Sequence, residues 1–314
     1  MFSITICTHN RCTLLKRMIA SIENQSFKNF EIIIINDHSK DNTKDYLNTL
    51  KKNTKYIIIH NDSNLGLQAS RIKAIAQAKY EYIIQLDDDD QMLPYCLENY
   101  NKILTKNNYD FINTNYVINQ SIKNHSNHNF LIKEYDDFNN LPSNKLHPKS
   151  IWSFVIKKKI VQSIYKNDLI KIDYGEDLVF ISNLYKISKH FATADFNSIS
   201  YTKNYNAMTN ITKFNSKTIN EFIMCHCYIA SIWGKNSMVT NFINHVTLNW
   251  RYSFFKIIEK KISKDNLINF KFRFKDLYSD FDYDLNQKIF PKIYPLSRSY
   301  ILNQKSNFLK VISN

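Results

Sequence analysis

Glycine is nearly missing from this chain, with three residues in 314, against about twenty in an average sequence of that length. No glycine precedes Gly66, which excludes a glycine-rich phosphate loop near the start. Where glycine is so scarce, each one is expected where the backbone needs it; the three are Gly66, Gly175 and Gly234. Cysteine is also thin. Cys7, Cys12, Cys96, Cys225 and Cys227 make no CxxC pair and no even framework, which excludes a disulfide scaffold and predicts reduced thiols. Cys225-His226-Cys227 has no second pair to complete a metal site and reads as ordinary helix. No apolar run is long enough to cross a bilayer; the longest near the C-terminal end, Phe222 to Trp233, is short and holds His226. The opening residues carry neither a basic segment nor a cleavage site, so a cytoplasmic location is expected. No internal repeat is present.

Basic residues are in excess, 42 against 28 acidic, for a net charge of +14. Such a balance favours anionic partners: nucleotide phosphates, anionic lipid head groups or nucleic acid. The excess is greatest after residue 215, where basic residues outnumber acidic ones roughly two to one. A hydrophobic content of 44% supports a real core, and a mean hydropathy of -0.40 fits a soluble protein. The length suits one large domain or two small ones.

The first third alternates strand and helix patterns. Strands are predicted over Phe2–Cys7, Phe30–Ile35, Tyr56–His60 and Tyr82–Leu86. Between them, helical spacing runs from Arg11 to Gln25, from a cap at Ser39 or Asp41 to Lys51, and from Leu67 to Ala78. Continuous apolar strands separated by helices predict a mostly parallel sheet covered on both faces, an α/β architecture. Ligands in such sheets bind beyond the carboxyl ends of the strands. Thr8-His9-Asn10, Asn36-Asp37 and Asp87 to Asp90 all fall there, so three polar clusters are expected to converge on one crevice. Further on, strands are expected over Asp110–Ile118, Ile151–Ile156 and within Ala192–Tyr205. Helices are expected from Leu93, from Lys158 and over Leu178–Lys189. Ser121 to Lys149, with His125 and His128, reads as a hairpin or long loop.

Four consecutive aspartates, Asp87 to Asp90, directly follow the apolar run ending at Leu86. Like charges so close repel and resist leaving water. A divalent cation relieves the conflict, because Mg²⁺ and Mn²⁺ take oxygen ligands. The other reading is a solvated acidic turn or the charged start of the following helix.

Together these segments resemble the inverting glycosyltransferases of family 2, with the GT-A (Rossmann-like) nucleotide-sugar-binding fold. Ile4-Thr5-Ile6-Cys7-Thr8-His9-Asn10-Arg11 resembles that family's first strand and P-T-[YF]-N-R turn, with Cys7 in place of proline. Glu31 to Thr43 resembles E-I-I-V-V-D-D-G-S-x-D-x-T, with Asn36 for an acidic residue and His38 for glycine. Asn64-Leu65-Gly66-Leu67-Gln68-Ala69-Ser70-Arg71 resembles N-x-G-x-x-x-A-R. Leu86 to Asp90 resembles the L-D-x-D-D form of the D-x-D metal motif, and Gly175-Glu176-Asp177 the E-D motif of the catalytic base. The resemblance covers residues 2 to 210.

The resemblance implies a UDP-sugar donor, a cofactor of Mn²⁺ or Mg²⁺, and transfer to a glycan hydroxyl in bacterial surface glycan synthesis. Asp37 would accept a hydrogen bond from a uracil base, or cap a turn. Thr8 and Asn10 would line the nucleotide, or close a turn. Asp87 would hold the ribose and, with Asp89, the metal; Asp88 lies among the nucleotide-binding residues. Arg71 would place a fixed charge near the phosphates, or lie on a helix surface. Asp177 would be the catalytic base with Glu176 beside it, or both would only favour a helix N-terminus. Tyr201 and Tyr205 would stack on sugars or fill a core, with Trp152 and His147 as lesser candidates.

The domain reading is a catalytic domain over 1–214, split into a nucleotide-sugar half (1–105) and an acceptor half (106–214), then a helical, basic region over 215–314. That last region is expected to meet a membrane surface carrying lipid-linked acceptors, or to form a cap or an oligomer interface. The competing functions are a sugar-phosphate nucleotidyltransferase, disfavoured by the missing glycine loop, and a non-catalytic binder of nucleic acid. The latter rests on charge alone, so no nucleic-acid partner is expected.

Overall fold

The computed structural model describes residues 1–119, 130–136, 150–166 and 175–202, with isolated positions between 221 and 233. The chain divides into two compact units, Met1–Asn140 with Lys149–Phe214, and Leu141–Pro148 with Asn215–Asn314. The second lies almost wholly outside the described residues, as do His125, His128, His147, Tyr205, His226 and Cys227. The expected helical C-terminal region therefore lies outside them too.

The first unit is a sheet flanked by helices. Its strands among the described residues are β1 (Phe2–Thr8), β2 (Phe30–Asn36), β3 (Tyr56–His60), β4 (Tyr82–Asp87), β5 (Gln91–Met92), β6 (Phe111–Ile118), β7 (Ile132–Tyr135), β8 (Phe154–Lys157) and β9 (Phe191–Tyr201). The helices are α1 (Cys12–Glu23), α2 (Thr43–Leu50), α3 (Leu67–Gln77), α4 (Cys96–Leu104), α5 (Lys158–Lys166) and α6 (Glu176–Ile187). The sheet order is β3-β2-β1-β4-β8-β6-β9-β5, with β7 beside β9. From β3 to β4 every pairing is parallel. Beyond β4 the sheet is mixed: β8 runs antiparallel to β4 and β6, while β9 is parallel to β6.

β1, β2 and β4 read as continuous apolar runs because both faces are covered. Ile4, Ile6, Ile32, Ile34 and Ile84 are essentially solvent-free, and α1 closes one face with Leu15, Met18, Ile19 and Ile22. Two polar groups within this core, on β1 and β2, are joined. The Ser3 hydroxyl donates to Glu31 Oε1 at 2.5 Å, and Glu31 Oε1 also accepts the Lys79 N–H at 2.8 Å. Glu31 thereby fixes the turn from α3 into β4, a buried carboxylate that strand periodicity alone does not distinguish from a surface one.

Three expectations need correction. The helix expected from Leu93 starts at Cys96, because the residues before it are held in the sheet and against α1. The short strand β5 pairs with β9, the Met92 N–H donates to Ser21 Oγ at 2.9 Å, and Gln25 Nε2 donates to the Leu93 carbonyl at 2.8 Å. The strand expected from Ile151 opens instead as a 3₁₀ turn, Ile151–Ser153. Glu176 and Asp177 lie inside the first turn of α6 rather than before it.

Gly66 and Gly175 both carry positive φ, +85° and +89°, each immediately before a helix. Gly66 combines that φ with ψ 165°, a region essentially closed to residues with a side chain. Nothing lies within 4 Å of where its Cβ would sit, so the demand is on the backbone alone. Gly66→Ala is expected to cost ~1–3 kcal/mol in denaturant unfolding, from backbone strain. His38, at the glycine position of the D-D-G-S pattern, also adopts a left-handed φ of 62°.

Candidate active site

Strand register brings the polar clusters together. Thr8 pairs with Asn36, Cys7 with Asp87, and Asn36 with His60, so the carboxyl ends of β1, β2, β3 and β4 lie side by side. Cys7, at the position of the family's proline, is an inert thiol there: burial pushes its pKa up to about 12.

The two loops after β1 and β2 are laced to each other. His9 Nδ1 meets the Asp37 carbonyl at 2.6 Å, and the Asn10 N–H donates to Ser39 Oγ at 2.9 Å. Asn10 Oδ1 accepts the Lys40 N–H at 2.6 Å. Of the two readings of Asn10, the turn-closing one describes these contacts. Asp37 is likewise engaged. Oδ1 accepts from Asn61 Nδ2 and the Leu65 N–H, both at 2.8 Å, and Oδ2 accepts the Gly66 N–H at 2.9 Å. A carboxylate offers about four acceptor positions, so one on Oδ2 is left. The loop before α3 is thus built on Asp37. Asn36, where the pattern has an acid, accepts the Ser39 N–H on Oδ1 at 3.1 Å and turns Nδ2 toward His60 Nδ1 at 3.0 Å.

The four aspartates divide by exposure. Asp88 and Asp90 are buried. Asp87 and Asp89 keep 34% and 15% of their side-chain surface open, so the two carboxylates two residues apart are the ones a ligand can reach. Arg11 Nη1 holds Asp88 at 2.9 Å and Asp89 at 3.2 Å. Asp88 faces Thr8 as well as Arg11; burial still raises its pKa over the lowering effect of that arginine. Burial of the rest of Asp87 pushes it up to about 7 against the lowering effect of Arg71. Asp90 Oδ1 accepts the Thr202 N–H at 2.8 Å, while buried Oδ2 has no hydrogen-bond partner. Burial, then repulsion from Asp87, pushes Asp90 up to about 8 from 3.8.

That shift has a stability consequence. A carboxyl whose folded pKa lies above its unfolded one binds more protons in the folded state, so stability falls as pH rises between the two values. For Asp90 the window runs from about 4 to about 8. In metal-free protein kept with chelator, Asp90→Asn should therefore melt higher than wild type at pH 8 and match it near pH 4. The amide keeps an oxygen for Thr202.

The helix-surface reading of Arg71 does not hold. It is 5% exposed, so it is no surface arginine, and its guanidinium is bound to carboxylates. Nη2 meets Asp87 Oδ1 at 3.1 Å; Nη1 meets Glu176 Oε1 at 3.1 Å and Asp177 Oδ1 at 3.2 Å. One cation thus joins the end of β4 to the first turn of α6. Asp177 Oδ2 also accepts the Ile151 N–H at 3.4 Å. One guanidinium cannot balance three carboxylates. Burial, then the neighbouring Asp177, raises Glu176 well above the usual carboxylate range. The motifs point separately to Arg71 and to the Glu-Asp pair; nothing in the linear pattern says that they touch.

A profile described as Glycosyl transferase family 2 matches residues 3–167, just over half of the chain. Crystal structures of S. aureus TarS residues 1–349 superpose with TM-scores of 0.67 (in complex with UDP-GlcNAc) and 0.68 (in complex with UDP). Each is 15% identical and covers 94% of this chain and 85% of that one. A Campylobacter jejuni GalNAc(5)-diNAcBac-PP-undecaprenol beta-1,3-glucosyltransferase is 38% identical over 94 residues, 29% of this chain and 30% of its own length. An uncharacterised glycosyltransferase of Methanocaldococcus jannaschii is 32% identical over 203 residues, 59% of this chain and 66% of its own. The chain thus spans less than two thirds of either relative. The protein has the GT-A fold. It belongs to glycosyl transferase family 2.

Proposed function

We propose that the protein moves a sugar from a UDP-sugar to a hydroxyl of a glycan acceptor, with inversion at the anomeric carbon. The observation that carries this reading is the joining of Asp87, Glu176 and Asp177 around Arg71. It brings the acidic end of β4 and a candidate proton acceptor into one site. A sugar hydroxyl attacks well only as its proton leaves, and inversion needs the acceptor of that proton on the side away from the leaving group. Asp177 takes that role. Glu176 stands beside it, and Arg71 fixes both.

The donor set suits Mn²⁺ or Mg²⁺. It is all oxygen, and the open carboxylates are Asp87 and Asp89, each with one oxygen not engaged by an arginine. Among the described residues no three histidine, cysteine or carboxylate groups form a ready-made cage. Mg²⁺-type sites commonly use one or two carboxylates and complete the shell with substrate phosphates. Asp89 and Asp87 would hold the ion, and it would neutralise charge on the departing diphosphate. Thr8, Asn10, Asp37 and Asp88 shape the nucleotide side.

TarS was crystallised with UDP and UDP-GlcNAc, which supports a UDP-linked donor. The Campylobacter relative is named for an undecaprenol-linked acceptor and an Escherichia coli relative for colanic acid biosynthesis. These support a lipid-linked or surface glycan acceptor in a bacterial setting. No helix among the described residues is long and apolar enough to cross a membrane. Contact with the membrane surface would fall to the basic region after residue 215.

The test is a panel of UDP- and GDP-sugars with Mn²⁺, scored by release of nucleoside diphosphate. One or more UDP-sugars should be turned over, and chelator or Asp89→Asn should remove that turnover while leaving the melting transition in place. Turnover of GDP-sugars alone overturns the donor assignment. Full turnover in Asp89→Asn overturns the metal assignment.

A further inference from the structure

Asp89 is open enough to take a cation from solution, and a cation of the chain itself rests on it. Arg11 Nη1 donates to Asp89 Oδ2 at 3.2 Å and to Asp88 Oδ1 at 2.9 Å. The Asp88 side chain is 4% exposed, that of Asp89 15% and that of Arg11 34%. One nitrogen thus bridges a buried carboxylate and an open one. A guanidinium keeps its charge at any working pH. Burial works against that charge here, and the aspartates, Asp88 foremost, outweigh it.

The backbone under Arg11 is fixed on both sides. The Asn10 N–H donates to Ser39 Oγ at 2.9 Å, and the Cys12 N–H donates to Asp41 Oδ2 at 3.2 Å. The Arg11 carbonyl accepts the Leu15 N–H at 2.9 Å as α1 begins. The turn from β1 into α1, tied to the loop after β2, therefore holds Arg11 over the aspartates. Any response to a ligand on Asp89 falls to the side chain.

We propose that Arg11 sets the order of assembly, keeping the affinity of Asp89 for a divalent cation low until a diphosphate is present. The inference rests on the reading of Asp89 as a metal ligand and gives Arg11 a positioning role beside it. A divalent ion taken up by Asp89 shares that carboxylate with the guanidinium. Like charges so close repel, and more strongly where water is partly excluded. A diphosphate reverses the balance, because its oxygens ligate the ion and offer the guanidinium a bidentate partner. Metal and nucleotide then favour each other, and by linkage each raises the other's affinity by the same factor. A counter-ion serving Asp88 alone would not act on the metal.

The experiment uses the full chain stripped with chelator and titrated with Mn²⁺, with and without saturating UDP. Free Mn²⁺ is read by electron paramagnetic resonance, and the UDP Kd with and without Mn²⁺ by calorimetry. Wild type should bind Mn²⁺ about tenfold or more tightly with UDP than without it. In Arg11→Met, Mn²⁺ alone should bind about fivefold or more tightly than to wild type, so that the coupling to UDP shrinks from both sides. Arg11→Lys, which keeps the charge, should stay nearer wild type. Melting in chelator checks the fold. Arg11→Gln, neutral with an amide donor left for Asp88, repeats the test if Arg11→Met melts early. Unchanged or weaker affinity for Mn²⁺ alone in a folded neutral variant overturns the proposal and leaves Arg11 as the counter-ion of Asp88. The two readings fail separately. Mn²⁺ binding that depends on Asp89 but not on Arg11 overturns the ordering alone, and Mn²⁺ binding with UDP that is undiminished in Asp89→Asn overturns the metal reading and the ordering with it.

Discussion

Asp177→Asn is expected to lower kcat by about 10²–10⁴-fold, the usual contribution of a positioned base. The Kd for UDP should stay within about twofold, because the lost interaction acts in the transition state rather than on the bound nucleotide. The amide is nearly isosteric, and its oxygen can still face Arg71 Nη1 or the Ile151 N–H. It cannot take a proton from the attacking hydroxyl. Steady-state turnover beside calorimetric UDP binding separates these outcomes. Wild-type turnover in this variant moves the base elsewhere. Equal losses in turnover and UDP binding make Asp177 a structural carboxylate of α6.

The second large effect is expected at Arg71. Removing one partner of a buried ion pair leaves uncompensated charge and typically costs ~3–5 kcal/mol. Here one side chain serves Asp87, Glu176 and Asp177 together. Arg71→Met should therefore lower unfolding stability by about that amount and abolish turnover. Arg71→Lys should recover part of the stability and little of the activity. A single ammonium does not reproduce the planar fork whose two nitrogens reach β4 and α6 at once. Denaturant titration and turnover of both variants test this, and a lysine variant with near-normal kcat would reduce Arg71 to a counter-charge.

The parallel half of the fold was legible because β1, β2, β3 and β4 are continuous apolar runs whose ends coincide with polar clusters. Register then did the rest, since it pairs the last residues of neighbouring strands with one another. The mixed half was less legible. A strand covered on both faces has the same apolar pattern whichever way its neighbour runs, so nothing in Phe154–Lys157 announces an antiparallel partner. β5 has two residues, too few to show any period. Motif positions located Asp37, Arg71, the aspartates and the Glu176-Asp177 pair. The structure adds protein contacts that those motifs do not state. Asp37 serves a loop, Asn10 laces two turns, and Arg71 is a buried cation among acids. Those roles depend on tertiary neighbours that are 16 to 106 residues apart in the chain, and local sequence carries no record of them. Glu31 was missed for the same reason. Its signal was a charged residue second in an otherwise apolar strand, and such a residue is more often solvated than buried.

The most direct test of the account is anomalous scattering from Mn²⁺ in crystals of the full chain soaked with UDP. The account predicts a Mn²⁺ peak on Asp89 with the UDP diphosphate beside it, in the same cavity as Asp177. A metal and nucleotide bound away from Asp89, or separated from Asp177 by packed protein, would contradict it.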